Sequence, residues 1–396
     1  MVKAMRSTAF FRALIAFSFD VGGVLAGAIV AFQLGVFRLS PWALAVYPAV
    51  LGAKRVMDGL LSGRVGTALH LGTAYPRFLG NAPSFYKLIE AMVPLTFLAS
   101  IAVGSVSAVF GSFLWGLTLI DFSDVLAVVM GTMLMGLSTT FLAASLSFAA
   151  FKKGVDPDTV AYPVMSTTAD ILITVFYVIA LNSLLTMGIA GRYVVYAAAL
   201  LLAILAAYIL VRNARDRRFA KAVKGPLTML VLMAVLVSLT GAVLKGISMV
   251  IQNGKEVYTA YPALIDTARG VGVIVGSTAT GKLALGFLRP SFSSMRDHAT
   301  TIFSVWPASA MVTAAVSVLS LSLSQMLSMG SFLAFTLILL AANVIAIPVI
   351  AVLSFGFAIL TFRRGLDRDS FVLPLASSLA DCVMSAALLV SLVLLG

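Results

Sequence analysis

The chain of 396 residues is 61% hydrophobic and only 11% charged, whereas soluble domains carry roughly 25% charged residues. This composition excludes a soluble globular protein and predicts an all-α integral membrane protein in contact with the lipid bilayer. The formal net charge of +12 does not indicate a nucleic-acid partner, because the basic residues lie in short segments between apolar runs rather than along one soluble face.

Apolar runs of about 20 residues, the length that crosses roughly 30 Å of hydrocarbon, recur along the whole chain. They predict about eleven membrane spans and leave no room for a sizeable soluble domain. The first run is too long for a signal peptide and lacks a small-residue cleavage site, so we expect it to be a span. The predicted spans begin near Ala13, Ala43, Val93, Val125, Val160, Val194, Leu227, Val257, Ile302, Phe332 and Phe371.

Basic residues are unevenly distributed among the predicted loops. With the N-terminus in the cytoplasm, the cytoplasmic segments contain most of them, including the cluster from Arg212 to Lys224. Only Arg38, Arg192 and Lys255 fall on the other side. This positive-inside pattern predicts a multi-pass protein of the cell membrane, with a cytoplasmic N-terminus and a C-terminus outside.

The two halves of the chain repeat each other. The stretch "FKKGVDPDTVAYPVMSTTAD", which ends at Asp170, matches "FRRGLDRDSFVLPLASSLAD", which ends at Asp381, at an offset of 211 residues. Upstream, "YPAVLGAKRVMDGLLSGRVG" matches "YPALIDTARGVGVIVGSTAT" at an offset of 214. These matches predict two five-span repeats, residues 1–188 and 225–396, joined by a linking span and a basic cytoplasmic loop over 189–224.

The linking span determines how the two repeats are related. It runs from about Val194 to Val211 and returns the chain to the cytoplasm before the second repeat begins. The repeats are therefore predicted to be parallel, related by a pseudo-twofold axis along the membrane normal. Because such a duplication supplies both halves of a path from one chain, we expect that the protein can act as a monomer.

Asp170 and Asp381 are the leading site candidates, because they lie at equal depth in equivalent spans. A charge at mid-membrane costs about 2.5–3.5 kcal/mol, so such residues usually face a polar interior. The pseudo-twofold axis would bring the two carboxylates to one depth on a central path. Two carboxylates across a narrow polar path suit a hard cation such as Mg²⁺; the alternative is that they only hydrogen-bond neighbouring helices.

The predicted second span is too polar to face lipid. We expect it to be enclosed by other spans or to line an aqueous path. Asp58 is either an ion ligand or the partner of Lys54, four residues earlier, or of Arg55, three residues earlier. The polar residues of this segment are Lys54, Arg55, Asp58, Arg64 and His70.

Other acidic residues are weaker candidates. Asp266 lies three residues before Arg269 in the eighth span, and Asp20 has no acidic counterpart in the second repeat. Four more aspartates either cap the following helix or capture ions at the cytoplasmic mouth. They are Asp156, Asp158, Asp367 and Asp369.

Motifs of known catalytic centres are missing from the sequence. It contains no nucleophile elbow and no His-Glu metalloprotease signature, and "GSTATGK" at 276–282 is one residue short of a phosphate-binding loop. One cysteine, Cys382, and two histidines also exclude a disulfide and a Cys/His metal cluster. We therefore expect neither an enzyme nor a permanently bound cofactor.

Two of these stretches resemble a family of magnesium transporters. The stretch "GAKRVMDGLLSGRVGTALHLG" resembles the second-span motif of the solute-carrier magnesium transporters (solute carrier family forty-one). The stretch "DPDTVAYPVMSTTAD" resembles the fifth-span motif that they share with bacterial MgtE magnesium channels. The resemblance implies a divalent cation pathway between the repeats, with Mg²⁺ as the transported ion. It also implies that Asp170 and Asp381 bind the ion, helped by the backbone carbonyls of Ser166 and Ser377 one turn earlier, and that Asp58 occupies the acidic position of the second-span motif.

The chain departs from the family pattern at several points. Arg55 in the first copy and Arg269 in the second interrupt the glycine-asparagine step of the second-span motif, and Asp58 aligns with Gly272. An arginine beside a cation path repels the ion unless the arginine is paired. The sequence also lacks counterparts of the cytosolic regulatory domains of bacterial MgtE, so we expect no gating by such domains.

Three functional hypotheses follow from these patterns. The first is transport of divalent cations, most of all Mg²⁺, through the paired-aspartate site. The second is an anion or organic-solute path lined by the basic residues. The third is a scaffold or an intramembrane enzyme that uses the aspartate pair. The basic residues of the second hypothesis are Lys54, Arg55, Arg64, Arg269 and Lys282.

Overall fold

The computed structural model describes residues 2–153, 157–251, 254–365 and 373–396. Within these ranges the chain forms α-helices and one short 3₁₀ helix, without β-strands, which confirms the predicted all-α membrane class. The helices are α1 (Val2–Asp20), α2 (Gly23–Phe32), α3 (Leu34–Phe37), α4 (Ala43–His70), α5 (Pro83–Trp115), α6 (Leu119–Lys152), α7 (Pro157–Thr186), α8 (Gly188–Arg212), α9 (Arg217–Lys224), α10 (Leu227–Val250), α11 (Lys255–Ala284), α12 (Met295–Leu323), α13 (Met329–Arg363) and α14 (Leu373–Leu395).

Nine helical segments of the described chain are long and apolar enough to cross a membrane, and each overlaps a predicted span. The two predicted spans left over are α4 and α11, which have 28 and 30 residues and carry several charges. The total of eleven spans stays a prediction, because it requires that α4 and α11 be enclosed by other helices. The nine segments are Phe10–Phe32, Pro83–Trp115, Leu119–Lys152, Met165–Thr186, Gly188–Arg212, Phe219–Val250, Phe292–Leu323, Met329–Arg363 and Pro374–Leu395.

The described helices divide into two compact units. The central unit is Gln33–Ala242, and the terminal unit is Met1–Phe32 together with Val243–Gly396. These units differ from the predicted repeats, because α1 and α2 belong to the terminal unit and most of α10 belongs to the central unit. The first predicted span of each repeat thus belongs, wholly or for the most part, to the unit that contains the rest of the other repeat; we call this an exchange of the first spans. The repeat boundaries themselves stay a prediction from the sequence.

Helix α4 is the inner helix of the central unit. It packs against α5, α6 and α7, and residues on all of its faces are buried between Ala43 and Leu69. A helix enclosed in this way must find partners for its charged side chains inside the protein. Its second half belongs to an apolar cluster that includes Met57, Leu61, Phe85, Met92, Phe148 and Met165.

Helix α11 is the inner helix of the terminal unit, where it packs against α2, α12, α13 and α14. The approach of α2 is very close: a Cβ atom added to Gly27 would lie 2.2 Å from the carbonyl oxygen of Thr259. Only glycine allows two helix backbones to come so near. Gly27 therefore lets the exchanged first span pack against α11.

We expect Gly27→Ala to destabilise the protein, because the added methyl group forces α2 away from α11. Overpacking of this kind costs about 1–3 kcal/mol and should lower the midpoint of thermal unfolding in detergent, measured by circular dichroism. Gly281→Ala is the matched control, since this glycine also lies in α11 but has nothing within 4 Å of the added atom. Its midpoint should stay constant or rise. Equal midpoints for Gly27→Ala and the wild type would contradict the packing of α2 on α11.

Candidate functional site

Three charged side chains of α4 lie inside the central unit. Lys54 is fully buried, and Arg55 and Asp58 are 8% and 3% exposed. Charges removed from water to this extent are costly unless they are paired and hydrogen-bonded. Because α4 packs against α6 and α7, its side chains find their partners on both of these helices as well as on α4 itself.

Arg55 is paired with Asp170 of α7. Its Nε donates a hydrogen bond to one carboxylate oxygen at 2.5 Å, and its Nη2 donates to the other at 2.6 Å. Asp170 is only 1% exposed, so the pair is almost entirely removed from solvent. A bidentate guanidinium–carboxylate contact is among the strongest polar contacts in proteins. The aspartate predicted to bind the ion therefore has an arginine as its partner.

Asp58 belongs to a second ion pair on α4. Lys54 Nζ donates to its Oδ1 at 2.6 Å, and the Thr139 hydroxyl of α6 donates to its Oδ2 at 2.7 Å. Lys54 also lies 3.4 Å from the hydroxyl of Thr140. Of the roles predicted for Asp58, the structure contains the ion pair with the lysine four residues earlier. Its role as an ion ligand stays a prediction.

A pocket opens beside these two pairs, between α4 and α7. It brings together two of the predicted ligands, Asp58 and Ser166, and the arginine that holds Asp170. Oxygen atoms of carboxylates and backbone carbonyls, the groups predicted as ligands at Asp58 and Ser166, are suitable ligands for a hard cation such as Mg²⁺. The residues that line the pocket are Arg55, Asp58, Gly59, Ser62, Met165, Ser166 and Ala169.

The terminal unit contains a related arrangement around Arg269 of α11. Arg269 Nη2 donates to Asp381 of α14 at 3.1 Å, and Nη1 lies 2.9 Å from the carboxylate of Asp266, one turn earlier. Ser377, the predicted partner of Asp381, is buried and donates its hydroxyl hydrogen to the carbonyl of Pro374 at 2.9 Å. Asp381, like Asp170, therefore contacts an arginine of the inner helix of its own unit.

The predicted ligands do not form a preassembled metal cage. Among the described residues, no group of three or more His, Cys, Asp and Glu side chains is placed to hold a metal ion. Asp58, Asp170 and Asp381 each contact a basic side chain instead. A cation that binds to any of these carboxylates therefore has to compete with a lysine or an arginine of the protein.

A second duplicated contact holds both aspartate-bearing helices. In the central unit the hydroxyls of Tyr47 and Thr174 lie 2.9 Å apart, and Thr174 donates to the backbone carbonyl of Asp170. In the terminal unit Tyr261 and Ser385 lie 2.9 Å apart, and Ser385 donates to the carbonyl of the equivalent aspartate. In the sequence alone, the only signal of these hydroxyl pairs is that each residue keeps the offset of its repeat.

The structure describes the side chain of one of the weaker acidic candidates, Asp20, but not those of the four aspartates near the predicted cytoplasmic mouth. Asp20 is buried in the terminal unit, where one of its carboxylate oxygens would lie 3.7 Å from a Cβ atom added to Gly270 of α11. The other four aspartates precede the fifth and eleventh predicted spans in the sequence. Asp156, Asp367 and Asp369, and the side chain of Asp158, lie outside the part of the chain that the structure describes.

Comparison with known proteins finds a match that covers the segment that carries the candidate site of the central unit. Residues 47–180 match the family model MgtE, described as a divalent cation transporter. This range includes nearly all of α4, the whole of α5 and α6, and most of α7, with Arg55, Asp58 and Asp170. The match confirms the resemblance to MgtE-type transporters and supports divalent cation transport by a multi-pass membrane protein. Curated proteins and solved structures contain no significant match to the chain.

Proposed function

We infer from the MgtE match that this chain moves divalent cations across a membrane, and we propose Mg²⁺ as its principal substrate. The observation that carries the proposal is the pocket between α4 and α7, because Asp58 and Ser166 line it within the matched segment. Buried carboxylates on membrane helices commonly mark ion pathways. We assign the principal ligand roles to Asp170 and Asp381, with Asp58, Ser166 and Ser377 contributing further oxygen atoms.

The arginine pairs provide a mechanism for this proposal. Arg55 neutralises Asp170 when the site holds no metal, so the protein avoids a bare buried carboxylate. A divalent cation that reaches Asp170 through the pocket repels the guanidinium, and the carboxylate exchanges one positive partner for another. Arg269 acts in the same way on Asp381. In this mechanism each arginine is a tethered cation that occupies the carboxylate until an ion displaces it. The two states are the carboxylate paired with arginine and the carboxylate bound to the ion, and ion binding shifts the equilibrium toward the second.

An anionic or organic substrate fits the contacts less well. The basic side chains that would bind it include Lys54, Arg55 and Arg269. Each of them donates to a carboxylate at 3.1 Å or less. A cation that is already paired in this way offers little net charge to an incoming anion. The same contacts leave the carboxylates, rather than the bases, as the groups that have to change partner during transport.

Flux into proteoliposomes tests the proposal. Vesicles that contain the purified protein and a Mg²⁺-sensitive dye should admit Mg²⁺ down an imposed gradient, while protein-free vesicles should not. External Mn²⁺ or Co²⁺ should slow the Mg²⁺ signal by competition for oxygen ligands, and a monovalent salt of equal ionic strength should not. Vesicles that admit no divalent cation, with or without an imposed Na⁺ or proton gradient, but take up an anion would contradict the proposal.

A further inference from the structure

The short helix α9 is basic on one face and apolar on the other. Phe219 and Val223 are 2% and 6% exposed, and they belong to the same apolar cluster as Phe85 of α5. Arg217, Lys221 and Lys224 lie on the exposed face of α9. The spacing of four residues between Phe219 and Val223 places them on one side of the helix, so the charged face points away from the protein.

One hydrogen bond attaches α9 to α4, and another caps its first turn. The Arg64 guanidinium, at the end of α4, donates to the carbonyl of Ala222 at 3.1 Å. The carboxylate of Asp216 accepts a hydrogen bond from the backbone N–H of Phe219 at 3.2 Å and so caps the first turn. The apolar face is thereby buried against the central unit. Among the side chains of α9 that the structure describes, the exposed ones are those of the basic residues Arg217, Lys221 and Lys224.

The position of α9 in the chain places its basic face at the membrane surface. A segment long and apolar enough to cross a membrane ends at Arg212, with α8, and the next such segment begins at Phe219, within α9, and continues through α10 to Val250. A segment of so few residues between two spans cannot extend far from the bilayer. Between Arg212 and Lys224 the sequence contains six basic residues and one acidic residue, Asp216. A positive face at this level is complementary to the phosphate groups of anionic lipids.

We propose that the exposed face of α9 binds the headgroups of anionic phospholipids. The basic side chains of this surface that the structure shows as exposed are Arg212, Arg215, Arg217, Lys221 and Lys224. The surface lies outside the segment that matches the MgtE family, and it does not depend on which ion is transported. The bound lipid would therefore contact α9, which is itself hydrogen-bonded through Arg64 to α4, the inner helix of the central unit.

Native mass spectrometry of the full chain, titrated with phosphatidylglycerol or phosphatidylcholine, tests this surface. The wild type should bind phosphatidylglycerol more tightly than phosphatidylcholine. The triple variant Arg217→Gln, Lys221→Gln, Lys224→Gln should bind phosphatidylglycerol at least about tenfold more weakly, since each basic residue near an anionic surface contributes to binding. The charge-preserving variant Arg217→Lys, Lys221→Arg, Lys224→Arg should bind it like the wild type.

A control variant removes the same number of charges elsewhere. Lys152, Lys153 and Arg364 are exposed and belong to other loops of the side predicted to be cytoplasmic. Their change to glutamine should leave lipid binding within about twofold of the wild type. Equal affinities of the α9 variant and the wild type would overturn the proposal. It would also be overturned if inorganic phosphate bound as tightly as the lipid and no preference for phosphatidylglycerol remained.

Discussion

Mg²⁺ influx into proteoliposomes should fall at least about a hundredfold when Asp170 and Asp381 are both replaced by asparagine. The substitutions remove the carboxylates that we assign as ion ligands and leave Arg55 and Arg269 without these partners. A unit positive charge about 4 Å from the path repels a monovalent cation by about 4 kcal/mol at an effective dielectric constant near 20, and a divalent cation more strongly. Since each 1.4 kcal/mol corresponds to a tenfold change, a hundredfold loss is a conservative expectation.

Two further variants separate this effect from misfolding. Asp124→Asn is the matched control, because Asp124 is also buried and accepts a hydrogen bond from Arg192 at 2.7 Å, but its partners Arg192 and Tyr196 lie on α8 and not on the inner helix α4. Its influx per folded protein should stay within about twofold of the wild type. The charge-balanced variant Arg55→Gln, Asp170→Asn avoids an uncompensated buried charge and should fold but stay inactive. Full influx in that variant would show that Asp170 is a partner of the arginine and not an ion ligand.

The sequence singles out Asp170 and Asp381 as site candidates but does not indicate their partners. Asp170 and Asp381 stand out because the two acidic residues lie at the same depth in equivalent apolar segments, and this pattern can be found from the sequence alone. The pairing of Lys54 with Asp58 was also among the expected alternatives, since four residues place both on one helix face. The Arg55–Asp170 pair joins residues 115 positions apart, and helix periodicity carries no information on contacts of that range.

The exchange of the first spans could not be predicted for a related reason. A repeat shows that two segments are similar, but it does not show which copy of a helix packs with which copy of its neighbours. In the sequence Gly27 is only a small residue of an apolar segment, whereas the structure places it against the backbone carbonyl of Thr259. The cluster from Arg212 to Lys224 was interpreted only as an orientation signal. The burial of Phe219 and Val223 shows that part of it is an amphipathic helix.

The duplicated contacts have a physical consequence for the mechanism. The hydroxyl pairs Tyr47–Thr174 and Tyr261–Ser385, each 2.9 Å apart, join α7 to α4 and α14 to α11, so the helices that carry the carboxylates are restrained by hydrogen bonds. Arg55 reaches Asp170 through a long side chain with several rotatable bonds. When the pair opens, we therefore expect the arginine to move while the aspartate stays in place, which preserves the geometry of the ion ligands.

Arg55→Gln should lower the Mg²⁺ concentration that gives half-maximal influx by about thirtyfold. In the proposed mechanism, an ion that binds Asp170 of the wild-type protein has to break the two hydrogen bonds between Arg55 and Asp170. Hydrogen bonds between charged groups contribute about 1.5–3 kcal/mol each. Glutamine cannot supply a competing charge, so the ion gains part of that free energy. Mg²⁺ should also raise the midpoint of thermal unfolding more in Arg55→Gln than in the wild type, because the ion then neutralises a carboxylate that has lost its partner.

Arg192→Gln is the matched control for this variant, since Arg192 pairs with a buried aspartate outside the pocket. It should leave the Mg²⁺ dependence of influx unchanged. The opposite result for Arg55→Gln, a folded protein without influx at any Mg²⁺ concentration, would show that Arg55 is a fixed part of the conducting site. In that case the tethered-cation mechanism is wrong, whereas the assignment of Asp170 as an ion ligand is decided separately by the asparagine variants. Substitutions of Arg55 and of Asp170 thus distinguish an arginine that the ion displaces from an arginine that stays in place as part of the conducting site.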